Sequence, residues 1–527
     1  MLESRALCTG DAHSLPAPRP SPPGPSTLPA SRKAGYLVSA PTSTVDVASA
    51  ATLSARNRHV IWLLLAASFV VILNETIMNV ALRALMIDLH ISAVAAQWLS
   101  SAFMLTMAVV IPITGFLLQR FNTRPLFITA MSLFSTGTLI AALAPGFTVL
   151  LGARIIQASG TAIMMPLLMT TLMTLVPPAE RGKTMGNVSI VISVAPALGP
   201  TISGVILNLL SWRWMFALVL PLAVIMLVIG IRQVRNVGEP RRVPIDVPSV
   251  VLSALGFGGI VYGLSKIGAS TNPADATGAL PMWTSLSVGA VSLVVFVLRQ
   301  LRLQRSDRAL LDLRTFRSPI FSLTTAIMVV TMLGLFGTLI VLPIYLQQVL
   351  HLEPVATGLL LLPGGLVMGL LAQFVGRAYD KVGPKPLVIP GSFLAGAAMW
   401  SLAFVSKDTS PFLILGAHIV LSIGLALMFT PLFTAGLGAV KPSMYSHGSA
   451  IFGTVQQVAG AAGAALFVTL MSAQTATLLA GGASADASAA GGVRVAFLAG
   501  AIIFLFAIAG SFFIRKPVEE PAPEPQG

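Results

Sequence analysis

Residues 60–82 read VIWLLLAASFVVILNETIMNVAL. A helix of this length rises about 35 Å, enough to cross the ~30 Å hydrocarbon core of a bilayer. Glu75 is the only carboxylate of the chain inside a long apolar span. A charge at the bilayer centre costs at least ~2.5–3.5 kcal/mol on insertion scales, so such a residue faces a bundle interior or a wet cavity. A proton is the simplest thing it can hold. At helical spacing Ser68, Glu75 and Asn79 share one face, within about 40° of one another, while Leu, Ile and Val cover the rest.

Composition agrees with a membrane protein. Over 527 residues, 55% are hydrophobic, 9% are charged and the mean hydropathy is +0.87, unlike a soluble globular chain. The net charge of +14 would suit nucleic acid, but the basic residues fall as short clusters between apolar spans, as membrane topology requires. Cys8 is the single cysteine, so the reading includes no disulfide and no cysteine metal cluster. There is no phosphate-binding Gly-x-x-x-x-Gly-Lys-[Ser/Thr] loop, which argues against direct ATP drive. The inter-span loops are too short for a soluble enzyme domain, and no cofactor is expected.

Residues 1–57, rich in Pro, Ser and Ala, read as a disordered cytoplasmic tail and not a signal peptide; an over-long start is an equally plain explanation. About fourteen spans follow, near 59–82, 93–118, 125–144, 147–176, 184–208, 213–232, 248–268, 281–299, 319–347, 355–376, 384–405, 411–438, 447–472 and 493–514. Alternate loops and the flanks of the first and last spans hold Lys and Arg in a ratio of about 22 to 5. The basic side is therefore expected to be cytoplasmic, with both termini on it.

Two loops repeat each other. Residues 115–126, GFLLQRFNTRPL, and 376–387, GRAYDKVGPKPL, share Gly-x-x-x-(polar)-basic-x-x-x-basic-Pro-Leu, each after the second span of a six-span half. The pair 248–268 and 281–299 has no counterpart and reads as an insertion. The expected architecture is all-helical: residues 58–235 as one six-helix bundle, 236–317 as a two-helix insertion with its linkers, 318–515 as a second six-helix bundle, and 516–527 as a cytoplasmic tail. Parallel half-repeats are a transporter pattern.

At these residues the chain resembles the major facilitator superfamily, and within it the fourteen-span drug:proton antiporters. The resemblance runs from about residue 58 to 515. The first-span motif of that branch, LDxTIVNVALP, stands here as residues 73–83, with Asn74 in the Asp position, the acid moved to Glu75, and Arg83 in place of Pro. The NET variant and the QRF loop are similar to the lincomycin-resistance-type exporters of Gram-positive bacteria. The resemblance implies that Glu75 couples protons or recognises cations. The loop motif GxLxDRxGRR appears as Gly115, Leu117, Gln119, Arg120 and Arg124; its Asp, which in the family latches the cytoplasmic gate, is a neutral Gln119. The later copy keeps Gly376, Asp380, Lys381, Gly383 and Lys385, and implies a stronger acid–base latch.

Arg154 opens a segment similar to the fourth-span RxxQGxG pattern. It is the only basic residue placed inside a span. It either tunes Glu75, since a nearby cation favours the ionised carboxylate, or snorkels from a helix end. Residues 196–204 resemble the antiporter motif GxxxGPxxGG, with Gly199, Pro200 and Gly204; the proline removes a helical hydrogen bond and the glycines allow close helix approach. In the family this motif separates exporters from importers. Asn74, Asn79, Gln157, Gln456 and Gln457 are the candidates for the cavity. Met164, Met165, Met368 and Met428 offer either packing or an adaptable apolar surface. His418, alone on an apolar stretch, reads as a bonded structural histidine, and no metal site is expected.

The expected function is proton-coupled export of amphipathic compounds across the plasma membrane by a monomer. The partners are a small amphipathic substrate, protons and lipid, with no nucleic acid. A dedicated exporter of one metabolite or antibiotic remains an alternative, as does a lipid flippase or scaffold subunit.

Overall fold

A computed structural model describes residues 55–91, 93–237, 244–267 and 276–517. Most of the proposed tails, 1–57 and 516–527, therefore lies outside the described residues. The described residues form fourteen α-helices: α1 Ala55–Asp88, α2 Ala93–Arg120, α3 Thr123–Ala142, α4 Phe147–Leu175, α5 Arg181–Leu209, α6 Arg213–Gln233, α7 Val247–Ile267, α8 Ala276–Leu303, α9 Pro319–Gln348, α10 Pro354–Val382, α11 Lys385–Leu402, α12 Pro411–Gly438, α13 Tyr445–Ala480 and α14 Ala485–Ser511. No strand occurs among the described residues. Among the described residues thirteen helices are long and apolar enough to cross a membrane. The expected span at 384–405, now α11, is the shortest and opens on Lys385 with Pro386 behind it. Prolines at the first helical position start α9, α10 and α12, and the Ser318 and Ser410 hydroxyls accept from the backbone N–H of Phe321 and Phe412. In the first turn a missing N–H costs nothing and the side-chain oxygen satisfies an orphan donor.

The packing is duplicated helix by helix. Among the first six, α1 packs on α5 and α6, α2 on α4, and α3 on α4 and α6; among the last six, α9 packs on α13 and α14, α10 on α12, and α11 on α12 and α14. The two sets meet where α10 lies along α5 and α13 along α2. The repeat also runs deeper than its loops. α1 stops at Leu89-His90-Ile91 and α9 at Leu350-His351-Leu352, and both histidines adopt φ 52°, a left-handed conformation uncommon outside glycine. α4 carries Leu151-Gly152-Ala153-Arg154 where α12 carries Leu415-Gly416-Ala417-His418, and neither glycine has a neighbour over it within 4 Å.

The inserted α7 and α8 pack on each other, and α7 leans on both α2 and α13, covering that seam. Asp246 receives both Nε and Nη2 of Arg299 (2.7 and 2.6 Å) and the Ser249 hydroxyl. The guanidinium pushes the Asp246 carboxyl down to about 2. Gln300 donates to Ser249 Oγ (2.8 Å) and accepts from the backbone of Leu310 and Leu311 (2.7 and 3.3 Å). This network holds the α8–α9 linker so that Leu310 and Leu311 are buried, Leu311 beside Gly115 of α2. Elsewhere the outer faces of α6, α8 and α14 expose Leu218, Ile225, Val291, Val294 and Phe506, an apolar surface suited to lipid chains.

Candidate functional site

Arg154 is 1% exposed and sits inside the first six helices, so the snorkelling alternative is wrong: its position on α4 turns it toward α1, α2 and α3. Its Nη1 donates to Gln157 Oε1 (2.6 Å) and to Asn74 Oδ1 (3.4 Å). Gln157 in turn donates to Thr138 Oγ1 (2.8 Å), whose hydroxyl bonds back to Phe134. The guanidinium carbon lies 4.1 Å from the Phe103 ring centroid, a cation–π stack that is strongest when dry. Arg154 Nε has no partner among the described residues.

Asn74, in the family's Asp position, is the α1 residue that touches Arg154. Glu75, one residue and about 100° further round, is half-buried and feels the Arg154 charge. Among the described residues no ion pair within 4.0 Å joins them. Arg154 is thus held by neutral amides and an aromatic face, leaving the carboxylate uncommitted. Asn74 and Gln157, expected in a cavity, are instead buried as supports of Arg154. The Asn79 side chain lies outside the described ones, and Gln456 and Gln457 are half-buried on α13.

Gly199 of α5 seats against the next residue of α1. A Cβ at Gly199 would stand 2.4 Å from Thr76 Oγ1, and that hydroxyl reaches the Ala195 carbonyl at 3.4 Å. Close approach is therefore the role of Gly199. It is not that of Gly204, which faces open space with nothing within 4 Å, while Ser203 beside it is buried against Met215 of α6. α5 runs unbroken through Pro200, whose side chain is outside the described ones.

The two repeated loops mark one closed end. A Cβ at Gly115 would lie 2.9 Å from Ala450 Cβ of α13, and one at Gly376 would lie 2.2 Å from the Gly182 carbonyl oxygen of α5. The equivalent glycines are thus the points where each half presses on the other. Gln119 Nε2 donates to His447 Nε2 at 2.5 Å, a neutral bridge across the halves. Asp380 does not pair with Lys381 or Lys385 as the acid–base reading expected. Its oxygens accept the backbone N–H groups of Gly182 (2.7 Å) and Lys183 (2.8 Å), at the N-terminus of α5, where the helix dipole favours a negative charge. Gly383 ends α10 with φ 78° and ψ −173°, a backbone region open essentially to glycine alone. Arg124 bonds the Ile231 carbonyl within its own half (2.7 Å), and Arg120 lies over Phe121. Thr170 with Ser449 and Ser189 with Thr430 (2.7 Å each), and Gln373 with Asn187 (3.1 Å), add further cross-half contacts.

Along the same seam α5 and α10 separate toward the opposite end, where Gly358 has nothing within 4 Å. A cavity of about 260 Å³ lies there between α5, α9, α10 and α12; Pro196, Leu335, Gly358, Met368, His418 and Leu421 are among its lining. His418, read as a bonded structural histidine, borders this cavity, and its buried Nδ1 has no partner among the described residues. An isolated histidine in an apolar run carries no sequence signal for a cavity; its register against Arg154 was the signal that could have found it. Met368 reaches the cavity, while Met164 and Met428 are buried in packing.

Residues 64–464 match the model of the Major Facilitator Superfamily. The chain belongs to that superfamily. It is 42% identical to the uncharacterized MFS-type transporter YcnB of Bacillus subtilis over 88% of its own length and 96% of YcnB. It is 40% identical to the lincomycin resistance protein LmrB of Listeria monocytogenes, over 86% of this chain and 95% of that one. A multidrug resistance protein B homolog of Mycobacterium tuberculosis is 30% identical over 77% of this chain and 75% of its own. In fold it is similar to the human organic anion transporter MFSD10 (TETRAN), with TM-score 0.62 and 13% identity over 87% of this chain and all of that one. As a member of this superfamily it is a multi-pass membrane transporter and not an enzyme.

Proposed function

We propose that this protein is a proton-coupled exporter of amphipathic, drug-like compounds across the plasma membrane, with the basic end and both termini cytoplasmic. The observation that carries the reading is Glu75 standing within reach of the Arg154 charge without an ion pair between them. A carboxylate in a membrane helix sits near a buried cation whose hydrogen bonds go to Asn74 and Gln157. It can therefore take and release a proton without dismantling its surroundings. The relatives named for lincomycin and multidrug resistance support the substrate class, and the Gly199–Thr76 contact ties the antiporter-motif helix to the residue beside Glu75.

With the basic end closed by Gln119–His447 and Asp380–α5, the opposite end is the open one. Protonation of Glu75 from that side removes its attraction to Arg154, a differential interaction that can shift the balance between closed and open ends. Release of the proton toward the cytoplasm resets it, and each proton entering drives a substrate outward. The chain works as a monomer and needs no cofactor in this scheme. A susceptible bacterium expressing the chain should accumulate less of an amphipathic fluorescent dye, and a protonophore should abolish the difference. Dye extrusion that persists with the gradient collapsed would overturn proton coupling.

A further inference from the structure

The two matched crossings at the basic end are not alike. The nearest atoms to a Cβ at Gly376 all belong to Gly182 and Gly186 of α5. At Gly115 a third element joins. The nearest atoms there are Ala450 Cβ (2.9 Å) and the Ser446 carbonyl oxygen (3.3 Å) of α13, and Leu311 Cδ2 (3.4 Å) of the α8–α9 linker. The latches differ in the same sense. Asp380 accepts backbone N–H groups as a carboxylate, whereas Gln119 and His447 form a neutral bridge, and charge-assisted hydrogen bonds are roughly twice as strong. The added element stands on the side with the weaker latch.

That element is an unusual stretch of chain. Residues 309–312 are buried without being helical, although connecting segments normally run over the surface, where water satisfies their backbone. Here the N–H groups of Leu310 and Leu311 both go to one side-chain oxygen, Gln300 Oε1 (2.7 and 3.3 Å). Gln300 is fully buried near the end of α8 and tied through Ser249 to Asp246 and Arg299. On the other flank Phe316 packs edge-on against Phe321 of α9, and Phe321 against Phe452 of α13, with ring centroids 5.4 and 5.3 Å apart. Leu311 is thus fixed by the inserted pair on one side and by the second half on the other, while its tip lies against α2 of the first half.

We infer that Leu311 is a bolt that helps hold the basic end shut, and that Gln300 is the positioning residue that keeps it in the α2–α13 seam. The inserted pair α7–α8 then has a task in the transport cycle, since it anchors the chain that carries the bolt. Opening this end parts α2 from α13 and exposes Leu311 to water, an unfavourable step for an apolar side chain. Without the Gln300 oxygen two backbone N–H groups would be left unpaired in a buried setting. The segment would turn out toward water and take Leu311 with it. The inference rests on the reading of two halves that open at alternate ends, and it is independent of proton coupling.

The test is the distance between spin labels at the exposed Arg232 and Lys385 positions of the full-length protein in detergent, on a Cys8→Ser background and without substrate. Gln300→Met keeps the length of the side chain but accepts no backbone hydrogen bond. It and Leu311→Ala should each lower the closed-to-open ratio by at least about threefold, within the net worth of one hydrogen bond. Leu311→Met, which keeps the volume, should stay close to wild type. Because both residues act through one contact, the double variant Gln300→Met/Leu311→Ala should open no further than the larger single one. A linker that only props α7 and α8 would instead show a lower unfolding midpoint with unchanged distances. That result, or additive effects in the double variant, would overturn the assignment. Gly376→Leu separates this inference from the reading it rests on. If Gly376→Leu opens the end while Gln300→Met and Leu311→Ala do not, the bolt falls and the alternating halves stand; an end that stays shut in all three would sink both.

Discussion

A buried guanidinium held by two amides and a phenyl face is an expensive arrangement, and its cost is why the proposed function is centred on it. Removing Arg154 orphans Asn74 and Gln157, at ~1–3 kcal/mol for each buried group left unpaired. Arg154→Ala should therefore lower the unfolding midpoint in detergent clearly, whereas a variant at the exposed Arg232 should leave it unchanged; an unchanged midpoint in Arg154→Ala would mean that the cluster is slack. Much of this site was legible in the residues. Glu75 stood out as a lone carboxylate in an apolar span, and Arg154 as a lone cation. Their facing was not legible, because moving the acid by one position turns it about 100° on the helix. Only packing could tell that Asn74 meets Arg154 while Glu75 stands beside it. The surroundings of His418 were not legible for the same reason: a ring in an apolar run is compatible with either a packed or a hollow setting.

At the scale of the element, the deciding contacts are where helices of opposite halves touch. Gly376 rests on the Gly182 carbonyl, so Gly376→Leu cannot keep the basic end shut. Asp380 stabilises the same crossing through the α5 N-terminus, an interaction of ~0.3–1 kcal/mol, rising to ~2 when partly buried. Asp380→Asn should thus lower the closed-to-open ratio by about twofold to about thirtyfold, less than Gly376→Leu does. Spin labels at the exposed Arg232 and Lys385 would report it: the short-distance population should fall in that order, and an unchanged distance distribution in Gly376→Leu would contradict the crossing. The repeated Gly-x-x-x-(polar)-basic motif showed that these loops matter. It could not show that Asp380 is held by backbone amides, because the partner lies some two hundred residues away in sequence. Gly204 shows the converse error, a small residue taken for a contact point on a face of α5 that is open.

For the molecule as a whole, apolar run length and the placement of Lys and Arg were enough for the all-helical architecture and the count of helices. The relation of the two halves was only partly visible. The repeated loops announced it, whereas the match of His90 with His351 and of Arg154 with His418 shows only when each helix is set beside its counterpart. The site occupied by α7 and α8, against the α2–α13 seam, follows from no composition rule, since both helices are as apolar as their neighbours. Orientation is a property of the whole charge pattern and is directly testable. The chain has one cysteine, Cys8, so a Cys8→Ser background carrying a single cysteine at Lys407 or at Arg308 isolates each end. In intact cells an impermeant thiol reagent should label the Lys407 position and spare Arg308; the reverse pattern would invert the transporter.

The central claim is that Glu75 carries the proton. Purified protein in weakly buffered detergent solution, titrated with an amphipathic substrate while free protons are followed with a pH dye, measures it most directly. Wild type should release protons as substrate binds, and Glu75→Gln should bind substrate with no release. Proton release of unchanged size from Glu75→Gln would contradict the account.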